Sequence, residues 1–155
     1  MKDQTRRGVP DDFPSVVALW RRSVLVTHHF VTLAQIDAME PLVSAALDGV
    51  DLWLNTDEDG RVRGFMGLSG PEVEMLFVDP DFCRRGLGTR LLDLARKLYG
   101  RLSLDVNEQN PEALAFYRRF GFEVVGRSPL DKRGQPFPLL RLRLPEDGPP
   151  DGKPE

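Results

Sequence analysis

The chain has 155 residues, of which 41% are apolar and 29% charged, and its net charge is -3. This length and composition suit one globular domain with a full core. The negative net charge argues against a general nucleic-acid binder, because neutralising phosphates needs a surplus of basic residues. A single cysteine, Cys83, excludes an intrachain disulfide and a cysteine metal cluster, and we expect no metal. Residues 1–10 lack the apolar core of a signal peptide, and no run reaches the roughly 18 apolar residues of a membrane span, so we expect a cytoplasmic protein with no membrane partner.

The predicted elements follow the order β-α-α-β-β-β-α-β-α-β-β. A short strand at 4–8 precedes a helix that begins after Asp11 and Asp12, which supply caps and negative charge. A second helix is expected over 33–47, kinked or broken near Pro41. Asp-Gly at 59–60 predicts a hairpin between strands 52–55 and 62–68, and strand 73–78 follows.

The second half continues the alternation of helices and strands. Helix 87–99 is expected to bury Leu91, Leu92, Ala95 and Leu98. After strand 102–106, helix 111–120 has Pro at its first position and Asn110 as its N-cap. Strands 122–126 and 139–144 complete an α+β (α/β-like) domain over 1–144. The remaining 145–155 contain no hydrophobic residue and are predicted to be a disordered tail.

The first chemical signal is a glycine-containing turn between a strand and a helix, with the sequence Val78-Asp-Pro followed by Cys-Arg-Arg-Gly-Leu-Gly-Thr at 83–89. The N-terminus of a helix offers unpaired N–H groups and the positive end of its dipole, which together bind phosphate. Arg84 and Arg85 add charge and Thr89 adds a hydroxyl. The turn lacks the third glycine of a dinucleotide fingerprint and the Gly-Lys of a Walker loop, so a bare structural turn stays open as the alternative.

Together with a second motif, this turn resembles the GNAT superfamily of acetyltransferases. The second motif runs from Asn107 to Phe122 and contains Asn110, a Tyr seven residues later at 117, and a Gly-Phe turn. The resemblance covers roughly residues 4–144. Short segments at 22–28 and 134–140 are most similar to the YjaB-type bacterial subgroup.

The resemblance implies a mixed, mostly antiparallel sheet of about six to seven strands, flanked by about four helices, with a splay between two parallel strands. It also implies acetyl-CoA as the cosubstrate. Backbone of Leu76, Phe77 and Val78 would contact the pantetheine arm, Asn110 would hydrogen-bond the cofactor, and the pyrophosphate would lie on Cys83, Arg84, Arg85, Gly86, Leu87, Gly88 and Thr89. Cys83 departs from the family, which has Arg or Gln at this position, and the neighbouring arginines are expected to replace the charge.

Transfer of an acetyl group to an amine requires a neutral amine, a stabilised oxyanion and a protonated leaving thiolate. By its match to the family, Tyr117 is the expected general acid and also contacts the cofactor; the alternative is a core aromatic. Three candidate bases stay open: Asp105, at a family position that can hold an acidic base, Glu74 acting through water, and His28, which titrates in the right range.

The function expected from these motifs is direct transfer from acetyl-CoA to a primary amine of a small molecule or peptide in a ternary complex. A non-catalytic acyl-CoA sensor and an O-acetyltransferase remain alternatives. The acceptor pocket is predicted from 20–47 and from the loop 127–138. Five basic residues there (Arg21, Arg22, Arg127, Lys132 and Arg133) hint at an acidic group on the acceptor. We expect a monomer or homodimer.

Overall fold

The computed structural model describes residues 4–83 and 85–146. In that part of the chain there are seven strands and four α-helices, in the predicted order. The strands are β1 (Gln4–Arg7), β2 (Asp51–Thr56), β3 (Val62–Ser69), β4 (Glu72–Val78), β5 (Leu102–Asn107), β6 (Glu123–Ser128) and β7 (Leu139–Leu144). The helices are α1 (Phe13–Thr27), α2 (Leu33–Ala46), α3 (Leu87–Tyr99) and α4 (Pro111–Phe120). None of the helices described is both long and apolar enough to cross a membrane.

The strands form one mixed sheet in the order β1-β2-β3-β4-β5-β7-β6. Strands β4 and β5 run parallel and pair where Glu72 faces Ser103. The pairs β1–β2, β2–β3, β5–β7 and β6–β7 are antiparallel. This confirms the expected mixed, mostly antiparallel sheet with four helices. The predicted splay between the parallel strands β4 and β5, beyond the point where Glu72 pairs with Ser103, stays a prediction.

The chain divides into two compact units, one of residues 1–69 with 74–93 and the other of 70–73 with 94–155. In the first unit, one face of α1 packs on the strands because its apolar residues recur at helical spacing. The core residues of this unit include Val16, Leu19, Trp20, Val24, Ile36, Leu47, Leu52, Leu54, Val62 and Phe65.

The second unit is organised by the alternation of side chains along β5. Leu102, Leu104 and Val106 are buried, and the residues between them lie on the other, partly exposed face. Leu142 and Leu144 of β7 are also buried. Since successive side chains of a strand point to opposite faces, this pattern brings Ser103 and Asp105 of β5 to one common face.

Two local predictions were wrong, and a third was wrong in part. Helix α2 is not broken, because it continues through Pro41, which removes only one backbone donor, whereas a kink there stays a prediction. Asp12 does not cap α1; its carboxylate instead accepts hydrogen bonds from the Arg6 guanidinium and the Val9 N–H. Leu98 is exposed rather than buried, at 48%. The predicted tail lies outside the described residues, apart from its first two.

Candidate active site

The turn that is predicted to bind phosphate has the expected strand–turn–helix arrangement. Strand β4 ends at Val78, a short 3-10 turn covers Pro80–Phe82, and α3 begins at Leu87. Gly86 has φ of 77°, a conformation that other residues rarely adopt, and its carbonyl accepts the Arg90 N–H at 3.0 Å as the first bond of the helix. The first N–H groups of α3 therefore have no acceptor within the helix.

Asp79 anchors the start of this turn. Its side chain is buried, accepts a 2.6 Å hydrogen bond from Arg22 of α1, and accepts a second from the Asp81 N–H at 3.0 Å. Burial alone would raise the pKa of Asp79, but these two donors outweigh it and lower the pKa below its ordinary value. The carboxylate thus stays ionised and ties α1 to the turn.

Positive charge collects beside the same turn. The guanidinium groups of Arg61, Arg63 and Arg85 each lie over the Phe82 ring, 5.4 to 5.5 Å from its centre. Arg85 was predicted from the motif. Arg63 of β3 and Arg61 of the turn before it were not predicted. Arg84, also predicted to bind, lies outside the described residues.

This turn fits the pyrophosphate of acetyl-CoA. Gly86 and Thr89 are exposed, Gly88 is half-buried, and Leu87 is buried, which directs its side chain away from the exposed face of the turn. Helix amides and nearby guanidinium groups are both suited to an anionic ligand. Cys83 is exposed, and its thiol lies 3.7 Å from the Asp79 carbonyl.

The other candidates in the first unit lie on β4 and at the end of α1. Leu76, Phe77 and Val78 are half-buried, and Phe77 stacks on Phe65 with ring centres 5.5 Å apart. Glu74 is exposed on the same strand. The His28 ring lies 2.7 Å from the Thr27 hydroxyl, and burial together with the neighbouring His29 lowers its pKa below 6.5, which leaves it neutral at pH 7.

Tyr117 and Asn110 are both fixed by helix α4 in the second unit. Tyr117 is buried, and its ring contacts those of Phe116 and Phe122 edge-on. Burial raises the pKa of Tyr117 well above its usual range, so its phenol is protonated at neutral pH. The Asn110 Oδ1 accepts the Ala113 N–H, which confirms the predicted N-cap and leaves the amide nitrogen available as a donor to the cofactor.

Asp105 is part of a charged network across three strands. It faces Arg141 directly in the β5–β7 register, and Arg141 Nη1 lies 3.3 Å from Asp105 Oδ1. Both terminal nitrogens of Arg141, Nη1 and Nη2, also donate to Glu72 at 2.7 Å, and the Ser103 hydroxyl donates to the same carboxylate. Burial would raise the pKa of Glu72, but these donors outweigh it and lower the pKa.

A pocket of about 280 Å³ opens beside Asp105. Its walls come from the ends of β6 and β7 and from the loop between them: Arg127, Ser128, Leu130, Asp131, Lys132, Leu139 and Arg141. The Lys132 Nζ lies 3.5 Å from Asp105 Oδ2. The predicted loop 127–138 therefore does line a pocket next to one of the three candidate bases.

Several residues of this network were not found from the sequence. Glu72 and Arg141 are 69 residues apart in the chain, and only the strand order brings them together.

Within the described residues there is no group of three acidic, His or Cys side chains arranged for a metal ion.

Comparison with known proteins identifies the family. Residues 48–124 match the acetyltransferase (GNAT) domain. The peptidyl-lysine N-acetyltransferase YjaB of Salmonella typhimurium is 43% identical over 140 residues, which span 90% of this chain and 97% of that protein. YiaC of Escherichia coli, also named a peptidyl-lysine N-acetyltransferase, is 30% identical over 77% of this chain and 83% of its own length.

The fold agrees with this family. The solution structure of apo YjaB from Escherichia coli superimposes with a TM-score of 0.86 at 39% identity and covers 92% of this chain and 97% of that one. The chain belongs to the GNAT family. It is an acetyl-CoA-dependent N-acetyltransferase, as the two motifs predicted, and its resemblance to the YjaB-type proteins extends over most of its length.

Proposed function

We propose that the chain acetylates the ε-amine of lysine side chains in proteins, by direct transfer from acetyl-CoA, with Asp105 as the base and Tyr117 as the acid. The observation that carries this proposal is the pocket lined by Asp105, where the ammonium of another lining residue, Lys132, lies 3.5 Å from the carboxylate. The peptidyl-lysine activity in the names of both relatives supports the same acceptor.

The pocket suits the two parts of a lysine side chain. Leu130 and Leu139 provide apolar walls for the methylene stem, and Asp105 provides a carboxylate for the ammonium. A lysine amine is protonated at neutral pH, so it must lose a proton before it can attack a thioester. Asp105 would accept that proton, and its side chain is 20% exposed, which also leaves a route for the proton to reach solvent.

Bound acetyl-CoA supplies the acetyl group as a thioester. The N–H groups of Phe77 or Val78 would donate to the carbonyl oxygen as it gains negative charge. Tyr117 would protonate the departing sulfur, the role that its match to the family motif implies. Direct transfer in a ternary complex needs no acetylated side chain along the way.

The base assignment is tested with two matched variants of the same pocket. Asp105→Asn and Asp131→Asn remove the same charge, but the Asp131 carboxylate mainly accepts the N–H groups of Arg133 and Gln135, which an amide oxygen can still do. We expect Asp105→Asn to lower kcat by about 10²- to 10⁴-fold and Asp131→Asn to lower it only a few-fold. Equal losses in both variants would contradict Asp105 as the base, and His28→Gln and Glu74→Gln would then be measured.

The acceptor is tested with three amines: a blocked peptide with one internal lysine, the same peptide with a free N-terminus and arginine in place of lysine, and a free diamine. Product is measured by mass spectrometry. We expect acetylation of the internal lysine only. Acetylation of the free N-terminus or the diamine alone would refute the proposed acceptor while leaving the family assignment intact.

The lone cysteine of the chain fits a reducing compartment, so we also propose the cytoplasm as the site of action.

A further inference from the structure

We propose that Lys132 is itself an acetyl acceptor. Its amine would be acetylated within the same molecule, with Asp105 as the base. This inference rests on the proposed function, because it takes Asp105 as the base. It assigns a covalent modification site to the loop between β6 and β7.

The loop holds Lys132 in a defined turn. The Asp131 N–H donates to the Gln135 carbonyl and the Gly134 N–H to the Asp131 carbonyl, both at 3.0 Å. Asp131 Oδ1 accepts the N–H groups of Arg133 and Gln135 at 2.9 Å. Gly134 has φ of 81°, which glycine adopts without strain. Four hydrogen bonds thus fix the backbone on both sides of Lys132.

The turn places the Lys132 amine where an acceptor amine would have to lie. The two oxygens of Asp105 are divided between two cations: Arg141 contacts Oδ1 at 3.3 Å, and the Lys132 Nζ lies 3.5 Å from Oδ2. A guanidinium keeps its proton at any pH of interest, whereas an ammonium can lose one and become a nucleophile. Of these two cations, only Lys132 is able to accept an acetyl group.

Lys132 is also accessible, since 63% of its side chain is exposed. The stem is flexible, so the amine can leave the carboxylate without any change in the turn. Because the Lys132 amine is already held beside Asp105, it does not have to reach the base by diffusion. We therefore expect it to be acetylated faster than the other lysines on the surface.

The reaction balances without a further reactant. The Lys132 ammonium gives a proton to Asp105 and becomes a neutral amine. Its nitrogen then forms a bond to the acetyl carbonyl carbon and loses its second proton as the carbon–sulfur bond breaks. The sulfur leaves as a thiolate and takes up one proton to give free coenzyme A, and Asp105 releases the other to solvent. The product amide is uncharged and no longer forms an ion pair with Asp105.

The experiment compares two lysines within one molecule. The full chain is incubated with isotopically labelled acetyl-CoA, and the acetylation of Lys132 and Lys97 is followed by peptide mass spectrometry. Lys97 is exposed on α3 and reports the uncatalysed background. We expect Lys132 to be modified at least about tenfold faster than Lys97, with a rate constant independent of protein concentration.

Two variants separate catalysis from simple exposure. Asp105→Asn should reduce the Lys132 rate to that of Lys97, and Lys97→Arg should leave the Lys132 rate unchanged. Equal rates at the two lysines, a Lys132 rate unaffected by Asp105→Asn, or a rate proportional to protein concentration would each overturn the inference.

A blocked lysine peptide assayed with the same samples distinguishes this inference from the proposed function. If the peptide is acetylated but Lys132 reacts no faster than Lys97, self-acetylation is refuted and the proposed function stands. If neither the peptide nor Lys132 is acetylated above background, both proposals fail. Lys132→Arg, which keeps the positive charge but offers no nucleophile, should show no label at this position.

Discussion

The binding of acetyl-CoA at the start of α3 can be tested by changing one residue, Gly88, to Glu. Gly88 lies one residue inside the helix, where the first N–H groups have no acceptor within the helix. The introduced carboxylate would lie beside the proposed pyrophosphate. Two unit charges about 4 Å apart repel each other by roughly 1 kcal/mol in water and roughly 4 kcal/mol near a protein surface. We therefore expect acetyl-CoA to bind about 5- to 1000-fold more weakly.

The same substitution is not expected to destabilise the fold. Replacing Gly by Glu within a helix contributes about 0.5–1 kcal/mol of stability, and an acidic residue in the first turn adds roughly 0.3–1 kcal/mol through the helix dipole. Gly86 is a poorer target, because its φ of 77° would be strained by any side chain. A weaker complex with a melting temperature that does not fall would thus report on charge at the site.

Gly88→Gln is the matched control, since it has the same size as Glu and no charge. Each protein is titrated with acetyl-CoA by calorimetry. If the Gly88→Gln variant binds acetyl-CoA nearly as well as the wild type and the Gly88→Glu variant does not, the negative charge of the ligand lies at this end of the helix. Equal weakening by both variants would indicate only a steric block. Wild-type affinity in both would refute the placement of the pyrophosphate.

Three other substitutions test the acid, the anchor of the turn and the charged network. Tyr117→Phe keeps the buried ring but removes the phenol, so kcat should fall about 10²- to 10⁴-fold while calorimetry shows unchanged acetyl-CoA binding. Arg22→Ala removes a donor from buried Asp79 but is itself half exposed, so we expect a loss of about 1–2 kcal/mol in urea unfolding at neutral pH. Because the folded-state pKa of Asp79 is lowered, that loss should be present above about pH 4 and vanish as the pH falls through the folded-state value. Arg141→Ala should cost about 1–3 kcal/mol in the same assay, against less than about 0.5 kcal/mol for exposed Arg143→Ala on the same strand.

Each of these expectations has a clear counter-result. Full activity in Tyr117→Phe would exclude its phenol as the acid, and lost acetyl-CoA binding would point to a structural role instead. A stability loss in Arg22→Ala that persists in acid would show that packing of the side chain matters rather than its charge. Equal losses on replacing Arg141 and Arg143 would mean that the contacts of Arg141 with its carboxylates contribute little.

The elements of this fold were predictable where local signals mark their ends. Helix α4 begins at Pro111 after an Asn N-cap and ends at Gly121, whose φ of 125° no other residue adopts easily, and its predicted bounds match the structure. In β5 the strict alternation of apolar and polar residues fixed which side chains face the core. These signals depend only on residues close in the chain.

Contacts between distant segments were not predictable in the same way. Arg22 and Asp79 are 57 residues apart, and Arg141 reaches Glu72 only because β5 lies between β4 and β7 in the sheet. Periodicity also failed for Leu98, which follows the buried Leu91 and Ala95 at helical spacing but is exposed. Spacing tells which face of a helix a residue occupies, not how far the core extends along that face.

The charge balance around Asp105 links the two proposals. An acceptor lysine that binds to Asp105 must displace the Lys132 ammonium, and this exchange replaces one cation by another of the same kind. The electrostatic cost of the exchange is therefore small, and Arg141 keeps the second carboxylate oxygen paired throughout. Selectivity among acceptor lysines must then come from the residues around them, which would meet the pocket rim at Arg127 and Asp131. Once Lys132 is acetylated, an incoming lysine would bind without this exchange, to a carboxylate that has lost one of its two cations.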